Sequence, residues 1–459
     1  MQLTLKQIAS MCEGVLSPNS NPDIIINNVV IDSRAVMPQS LFVAIVGDNN
    51  NGHNFIQSSF DNGANSAIVN HTHDVMYPNC IIVEDTTLAL GLLAKNYRNT
   101  FTNIPIVAIT GSNGKTTIKE MLKKVCEVEF GEEHVLASKN SFNNQWGVPL
   151  TILQIRPTHK VVILEMGMNH HGELHYLSEI AHPTIATVNN VLLSHVGFFK
   201  DLTDIAHAKG EIYDGIHGDN VALINTQVPY HTMWVANLRQ RNCKMVRFGS
   251  DGELCYLQNV DDDGNINIMT KNGEVKFKLN VLGDHNIYNS VTVVALSILI
   301  GCSISSIESG LKQYTPYSHR MEKFSAFNGA IIIDDSYNGN PDSVKSAILA
   351  VAKLPKPLWM VFGDLGELGA YTESEHIKLG EFMHSHHVDN LLTIGQYTLL
   401  TGNKYIECTG DINSWCHFES IDNIVQYCKS NLPENATLLV KGSNSMQLWQ
   451  VVNQLKEEK

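Results

Sequence analysis

Short apolar runs alternate with longer amphipathic segments in the last third of the chain. The runs lie at residues 330–333, 358–362, 391–394 and 437–440, and each is followed by small or polar residues. Strands that alternate with helices predict a parallel sheet with helices on both faces. Ligands bind beyond the carboxyl ends of such strands, so the polar residues after the runs predict a crevice that contains Asp335 and Asn338.

A second pattern, which begins at residue 106, predicts a phosphate-binding loop. The apolar run at 106–109 is followed by a glycine-rich turn, and a helical pattern begins at residue 118. Glycines let backbone N–H groups approach phosphate oxygens, while the lysine reaches the terminal phosphates and the next hydroxyl faces Mg²⁺. The alternative is a tight turn with a surface lysine, since Ile109 replaces the usual outer glycine. The predicted loop consists of Gly111, Ser112, Asn113, Gly114, Lys115, Thr116 and Thr117.

Another apolar run of this region ends in a carboxylate. Residues 161–164 predict a buried strand that leads directly into Glu165. A carboxylate at the carboxyl end of a strand beside a phosphate loop is well placed to bind Mg²⁺. The polar loop at 141–147, which contains Asn143 and Asn144, precedes a short apolar helix.

Two further polar residues lie near this predicted site along the chain. His195 follows a predicted strand at 185–188, and Lys209 lies in a helical segment at 205–213. From the residues alone, an ordinary polar histidine and an unremarkable surface lysine are the simpler interpretations.

The first hundred residues have a mixed pattern. Strand-like runs lie at 29–31 and 41–46, and Asp32, Ser33 and Arg34 follow the first of them. From these residues alone a turn with an exposed arginine is the favoured interpretation, although an arginine beside a hydroxyl also suits a diphosphate. Residues 245–280 predict β-hairpins, because the turn pairs Asp263-Gly264 and Asn272-Gly273 interrupt the pattern.

Length and composition limit the possible classes of protein. A chain of 459 residues should contain two to four domains, and we place them at 1–100, 101–315 and 316–459. The net charge of −14 argues against a nucleic-acid-binding protein and against an anionic-membrane surface. The nine scattered cysteines contain no CxxC pair and are typical of reduced thiols in the cytoplasm. We expect no membrane insertion, because the longest apolar segment, 291–300, is too short to span a bilayer.

Taken together, these segments resemble the Mur ligase family of ATP-dependent amide-bond ligases. The family has a shortened phosphate loop, TG-x-NGKTT, which residues 110–117 match and which explains Ile109. The resemblance implies an α/β protein with a small mixed N-terminal domain, a central P-loop ATPase-like domain with a parallel sheet and a Rossmann-like C-terminal domain. It also implies nucleotide contacts at Asn286 and Arg320.

The same resemblance implies two Mg²⁺ ions. The first would be bound by Thr116 and Glu165, and His195 stands at the family's second metal position. Lys209 stands where most members carry a carbamylated lysine, which would make it an oxygen ligand. On this interpretation Lys115, Lys209 and His195 are the catalytic residues.

Within the family, residues 334–341 and 363–369 resemble the member that adds D-alanyl-D-alanine to UDP-N-acetylmuramoyl-tripeptide. The implied reaction proceeds through an acyl phosphate and yields the pentapeptide precursor of peptidoglycan. Ser33 and Arg34 would bind the uridine diphosphate, and we assign Asn143 and Asn144 to the same substrate. We expect a cytoplasmic monomer.

Two alternatives stay open at this point. One is another ligase of the family, either a diamino-acid-adding enzyme, whose DNPR-type motif is absent, or a folate-extending enzyme, which would lack the uridine-nucleotide domain. The other is a P-loop kinase or a nucleotide-regulated binding module.

Overall fold

The computed structural model describes residues 1–47, 50–71, 77–193 and 196–457. Its N-terminal region contains a five-stranded sheet and three helices. The elements are β1 (Leu3–Thr4), α1 (Leu5–Met11), β2 (Val15–Leu16), β3 (Ile25–Ile26), β4 (Asn28–Val30), β5 (Ser40–Val43), α2 (Ile56–Asp61), β6 (Ala64–Asn70), β7 (Cys80–Val83) and α3 (Thr86–Arg98). The sheet order is β2-β7-β6-β5-β4, with β2 antiparallel to β7 and the other neighbours parallel. This is the mixed α/β region that the sequence predicts.

The central region is built around a six-stranded parallel sheet and a three-stranded antiparallel sheet. Its elements are β8 (Ile106–Thr110), α4 (Lys115–Phe130), β9 (Val135–Ala137), α5 (Gly147–Ile152), β10 (Val161–Glu165), α6 (Glu173–Ala181), β11 (Ile185–Val188), α7 (Leu202–Gly210), β12 (Val221–Asn225), α8 (His231–Gln240), β13 (Lys244–Phe248), β14 (Cys255–Val260), β15 (Ile266–Thr270), β16 (Gly273–Phe277), α9 (Asp284–Ile300) and α10 (Ile304–Gln313).

The order of the parallel strands explains where a ligand can bind. The order is β13-β12-β11-β8-β10-β9, so the chain places β9 and β10 on one side of β8 and then β11, β12 and β13 on the other. Every residue of β8, β10 and β11 is buried, because helices cover both faces of the sheet. A crevice forms at the carboxyl end of β8, where the strand order reverses. The predicted hairpins are the antiparallel strands β14, β15 and β16.

The C-terminal region forms a second six-stranded sheet. Its elements are β17 (Glu322–Ser325), β18 (Ile331–Asp334), α11 (Pro341–Val351), β19 (Leu358–Gly363), α12 (Thr372–Ser385), β20 (Asn390–Ile394), α13 (Thr398–Thr409), β21 (Trp415–Phe418), α14 (Ile421–Asn431), β22 (Thr437–Lys441) and α15 (Trp449–Leu455). The order is β17-β18-β22-β19-β20-β21, and β17 alone among these strands is antiparallel to its neighbour.

The predicted fold class is confirmed. All four strands predicted from the apolar runs of the last third are present as β18, β19, β20 and β22. The largest cluster of buried apolar side chains includes residues from all three regions, among them Leu5, Leu164 and Leu439. The domain limits at residues 100 and 315 remain predictions. Within the described ranges, no helix is long and apolar enough to cross a membrane.

Candidate active site

A cavity of about 930 Å³ lies where the carboxyl ends of β8, β10, β18 and β22 meet. It brings together residues that are widely separated along the chain. The predicted site residues in its walls are Ser112, Asn113, Gly114, Lys115, Thr116, Thr117, Asn143, Asn144, Glu165, Lys209, Asn286, Arg320, Asp335 and Asn338.

The glycine-rich turn opens helix α4 toward this cavity. Gly114 precedes the helix with φ 82°, and a Cβ atom there would lie 2.5 Å from Asn289 Oδ1, so only glycine fits. Among the described residues, no side chain caps the first turn of α4. Its backbone N–H groups and the positive end of the helix dipole therefore suit an anionic ligand such as a phosphate.

Lys115 is folded back over the turn that it follows. Its Nζ donates hydrogen bonds to the carbonyl oxygens of Gly111 at 2.7 Å and Ser112 at 3.3 Å. Burial lowers the pKa of its ammonium group, and the nearby carboxylate of Glu165 opposes that shift. A cation held over the phosphate loop is available to neutralise charge on a bound polyphosphate.

Thr116 and Glu165 form a compact pair of oxygen donors. Thr116 Oγ1 donates to Glu165 Oε2 at 2.8 Å, and Asn143 Nδ2 donates to Glu165 Oε1 at 2.9 Å. The Glu165 side chain is buried, yet it lines the cavity. A hydroxyl and a carboxylate oxygen at this separation match the oxygen ligands that Mg²⁺ prefers. The residues present therefore fit the predicted first metal site.

Lys209 is a buried amine that faces the cavity. The residue is 2% exposed and lines the cavity, and in the part of the chain that the structure describes its Nζ makes no hydrogen bond or ion pair. Burial lowers the pKa of its ammonium group well below the usual value, and the charge of Lys115 lowers it further. The expectation of an exposed surface lysine is therefore wrong. His195, the predicted partner in the second metal site, lies outside the described residues.

The C-terminal region supplies the opposite wall of the cavity. Arg320 Nη2 donates to Thr116 Oγ1 at 3.0 Å, and its guanidinium carbon lies 4.1 Å from the centre of the Tyr337 ring. Asn340 and Asn113 exchange two amide hydrogen bonds, at 2.7 and 3.3 Å. The phosphate loop and the C-terminal strand ends are thus in direct contact.

Asn286 belongs to a chain of buried amides behind the phosphate loop. Its Oδ1 accepts from Asn289 Nδ2 at 3.2 Å, and Asn289 Oδ1 accepts from Asn189 Nδ2 at 3.0 Å. Asn189 Nδ2 also donates a hydrogen bond to the carbonyl oxygen of Asn113 at 3.2 Å. The helix α9 is therefore connected to the loop that faces the cavity.

Ser33 and Arg34 lie apart from the residues described above. The described walls of the cavity include neither of them. The Arg34 side chain is 88% exposed and forms an ion pair with Asp32 at 2.7 Å, which holds the pKa of the Asp32 carboxyl at about 2. Their position in the N-terminal region is compatible with a binding site separate from the phosphate loop.

Comparison with known proteins identifies the family. Residues 109–297 match the Mur ligase middle domain, and residues 319–444 match the Mur ligase glutamate ligase domain. The chain is 30% identical to the UDP-N-acetylmuramoyl-tripeptide–D-alanyl-D-alanine ligase of Escherichia coli K12 over 466 aligned residues, which cover 100% of this chain and 99% of that protein. This chain belongs to the Mur ligase family.

Other relatives agree with this assignment over the full length. The ligase of the same description from Bacillus subtilis is 29% identical and covers 99% of this chain and 98% of its own. A crystal structure of MurF from Acinetobacter baumannii superposes with a TM-score of 0.89 at 27% identity, covering 99% of this chain and 98% of that chain.

Several residues of this Mur ligase site were not among the predicted ones. Lys441, at the end of β22, is buried and donates to a carboxylate oxygen of Asp335 and to the carbonyl of Asn338 at 3.1 Å. Its position directly after a predicted strand was a usable signal. Tyr337 and Asn340 also follow a predicted strand, at 330–333, but their roles depend on contacts with the central region that no local pattern indicates.

Proposed function

We propose that this Mur ligase joins D-alanyl-D-alanine to UDP-N-acetylmuramoyl-tripeptide and consumes one ATP for each amide bond. The observation that carries the proposal is a cavity in which the phosphate loop and the C-terminal strand ends face each other. A ligase that activates a carboxylate with ATP needs phosphate-binding groups and a second substrate at one place. The full-length similarity to ligases described by this reaction supports the same substrates.

The reaction proceeds in two steps. A carboxylate oxygen of the tripeptide attacks the γ-phosphorus of ATP, the bond to the β-phosphate oxygen breaks, and ADP leaves an acyl phosphate behind. The amine of D-alanyl-D-alanine then attacks the acyl carbon, loses a proton and expels inorganic phosphate. The first step brings two anions together, so its main requirement is neutralisation of charge, which Lys115 and Arg320 provide.

Thr116 and Glu165 would hold one Mg²⁺ ion at the cavity. When bound, Mg²⁺ supplies positive charge to the phosphate oxygens. The hydrogen bond from Asn143 to Glu165 fixes the orientation of the carboxylate. Such partners of metal ligands contribute to metal affinity together with the ligands themselves.

We further propose that Lys209 carries a carbamate and that, with His195, it serves a second Mg²⁺ site. An ammonium cannot bind a cation, whereas a carbamate offers oxygen ligands. A buried amine that has no hydrogen-bond partner among the described residues, and whose pKa is lowered by burial, is a suitable nucleophile for carbon dioxide.

ATP would be bound from both sides of the cavity. Asn286 approaches from helix α9, while Arg320, Asp335 and Asn338 approach from the C-terminal region. Enclosure between the two regions would keep water away from the acyl phosphate, which otherwise hydrolyses. We include a cytoplasmic location and a monomeric state in this proposal.

The direct test is mass spectrometry of the product formed from UDP-N-acetylmuramoyl-tripeptide, ATP and D-alanyl-D-alanine. Phosphate release should require both the acceptor and the dipeptide when each is omitted in turn. A kinase or a nucleotide-regulated binding module would show no such double requirement. An enzyme that ignores the dipeptide but adds a diamino acid or glutamate, when these amines and their own acceptors are supplied instead, would carry out another reaction of the family.

The exposed Arg34 leads to a separate prediction about the acceptor. Because Arg34 does not line the cavity, Arg34→Ala should raise the KM for the UDP substrate about tenfold and leave the KM for ATP nearly unchanged. Initial rates at varied concentrations of each substrate measure this difference, with Lys6→Ala as an exposed N-terminal control. An equal rise in both KM values would contradict a separate acceptor site.

A further inference from the structure

Lys119 is a buried cation that the proposed chemistry does not use. It lies one turn beyond Lys115 on α4, and its side chain is 0% exposed. Its Nζ forms an ion pair with Glu120 at 2.9 Å and donates to the carbonyl oxygens of Ser138 at 2.8 Å and Asn140 at 2.9 Å. Burying an ammonium is costly unless it is paired and hydrogen-bonded, so these contacts define its position closely.

Lys119 contacts residues 138–144, and this segment in turn contacts Glu165 at two points. Ser138 Oγ accepts from the backbone N–H of Glu165 at 3.2 Å, and Asn143 Nδ2 donates to Glu165 Oε1 at 2.9 Å. Lys119 Nζ itself lies 3.9 Å from Glu165 Oε2, the oxygen that also accepts from Thr116. Lys119 therefore fixes the first part of the segment that holds Glu165 and places a positive charge beside the carboxylate.

The 138–144 segment also contacts the chain that leads into the C-terminal region. Tyr317 donates its hydroxyl to Asn140 Oδ1, and Ser141 and Tyr337 share a hydrogen bond between their hydroxyl groups. The Tyr317 ring centre lies 5.7 Å from Lys119 Nζ. Asn140 has φ 49°, a left-handed conformation that asparagine tolerates better than most residues. One short segment is thus in contact with both Glu165 and the C-terminal side of the cavity.

We propose that Lys119 is a positioning residue, which holds the 138–144 segment so that Glu165 is oriented for a divalent cation. The contact of Asn140 with Tyr317 makes that orientation depend on the placement of the C-terminal region. This inference rests on the proposed function in one respect, namely that Glu165 binds the metal ion that accompanies the nucleotide.

The test compares ADP binding with and without Mg²⁺. Calorimetry gives the dissociation constant of ADP in Mg²⁺ buffer and in EDTA, and their ratio is the metal enhancement. Lys119→Met should lower this enhancement about tenfold or more, since partners of metal ligands have effects of this size. Its affinity for ADP in EDTA should stay close to that of the unaltered protein. Lys123→Met is the matched control, because Lys123 is on the same helix with a side chain 39% exposed.

Each outcome decides between the possible roles. A folded Lys119→Met protein with an unchanged enhancement would overturn the proposal, and so would an equal loss of affinity in Mg²⁺ and in EDTA. An unaltered protein that binds ADP without any metal enhancement would instead refute the metal site of the proposed function.

A second variant keeps the test valid should Lys119→Met fail to fold. Tyr317→Phe removes only the hydroxyl that reaches Asn140, and it should lower the metal enhancement about threefold. Tyr371→Phe is its control, because Tyr371 is 39% exposed and does not line the cavity. An enhancement in Tyr317→Phe equal to that of Tyr371→Phe would refute the coupling to the C-terminal region.

Discussion

Lys115→Ala is expected to lower turnover about a thousandfold while the protein remains folded. Lys115 lies at the first position of α4, and its Nζ contacts only the carbonyls of its own turn and no carboxylate within ion-pair distance among the described residues. Alanine is the best helix former, and its introduction removes a desolvated charge instead of creating one. The loss of turnover should therefore come from weaker charge neutralisation on the transferred phosphoryl group, while the fold stays unchanged.

Phosphate release and thermal unfolding should be measured on the same preparations of Lys115→Ala. Lys123→Ala is the matched control, since it removes a partly exposed lysine two turns further along the same helix. Near-normal turnover in a folded Lys115→Ala protein would refute the assignment of the phosphate loop. A large drop in melting temperature would instead indicate a structural role.

The phosphate loop was predictable because its requirements are local. A buried strand needs a continuous apolar run, and the turn that follows needs glycine, lysine and a hydroxyl residue at fixed spacing. Residues 106–117 satisfy both requirements, and the structure has β8, the turn and α4 in that order. Glu165 was predictable for the same reason, because it ends a buried strand beside that loop.

The remaining parts of the site depend on contacts between distant residues. Asn113 and Asn340 are separated by 227 positions, and no local pattern connects them. Lys119 has the sequence context of an ordinary helical lysine. It contacts residues of the 138–144 segment, and the sequence pattern does not predict these contacts or its burial. The edge strands β17 and β21 were missed for a different reason. None of their residues is fully buried, and every second residue of β17 is exposed, so they lack the continuous apolar run of the inner strands.

Lys209 leads to the second prediction with a large effect. Lys209→Ala should lower turnover more than about a hundredfold, because it removes the only group at this position that could become an oxygen ligand. A short carboxylic acid, such as acetate or propionate, should restore part of the activity by filling the space left by the side chain. Lys200→Ala is the control, because Lys200 is exposed near the start of α7 and should tolerate the change.

The chemistry of Lys209 also predicts a dependence on carbon dioxide and pH. The neutral amine attacks the carbon of carbon dioxide, a nitrogen–carbon bond forms, and one proton is released to give the carbamate. Burial lowers the pKa of Lys209, so the neutral amine persists to lower pH than that of an exposed lysine, and acidification below that pKa should reverse the modification. Activity should therefore fall in carbonate-free buffer and recover when bicarbonate is added, whereas the Lys209→Ala protein should respond to the carboxylic acid and not to bicarbonate. Full activity in carbonate-free buffer, together with a high-resolution map that shows an unmodified amine, would exclude the carbamate.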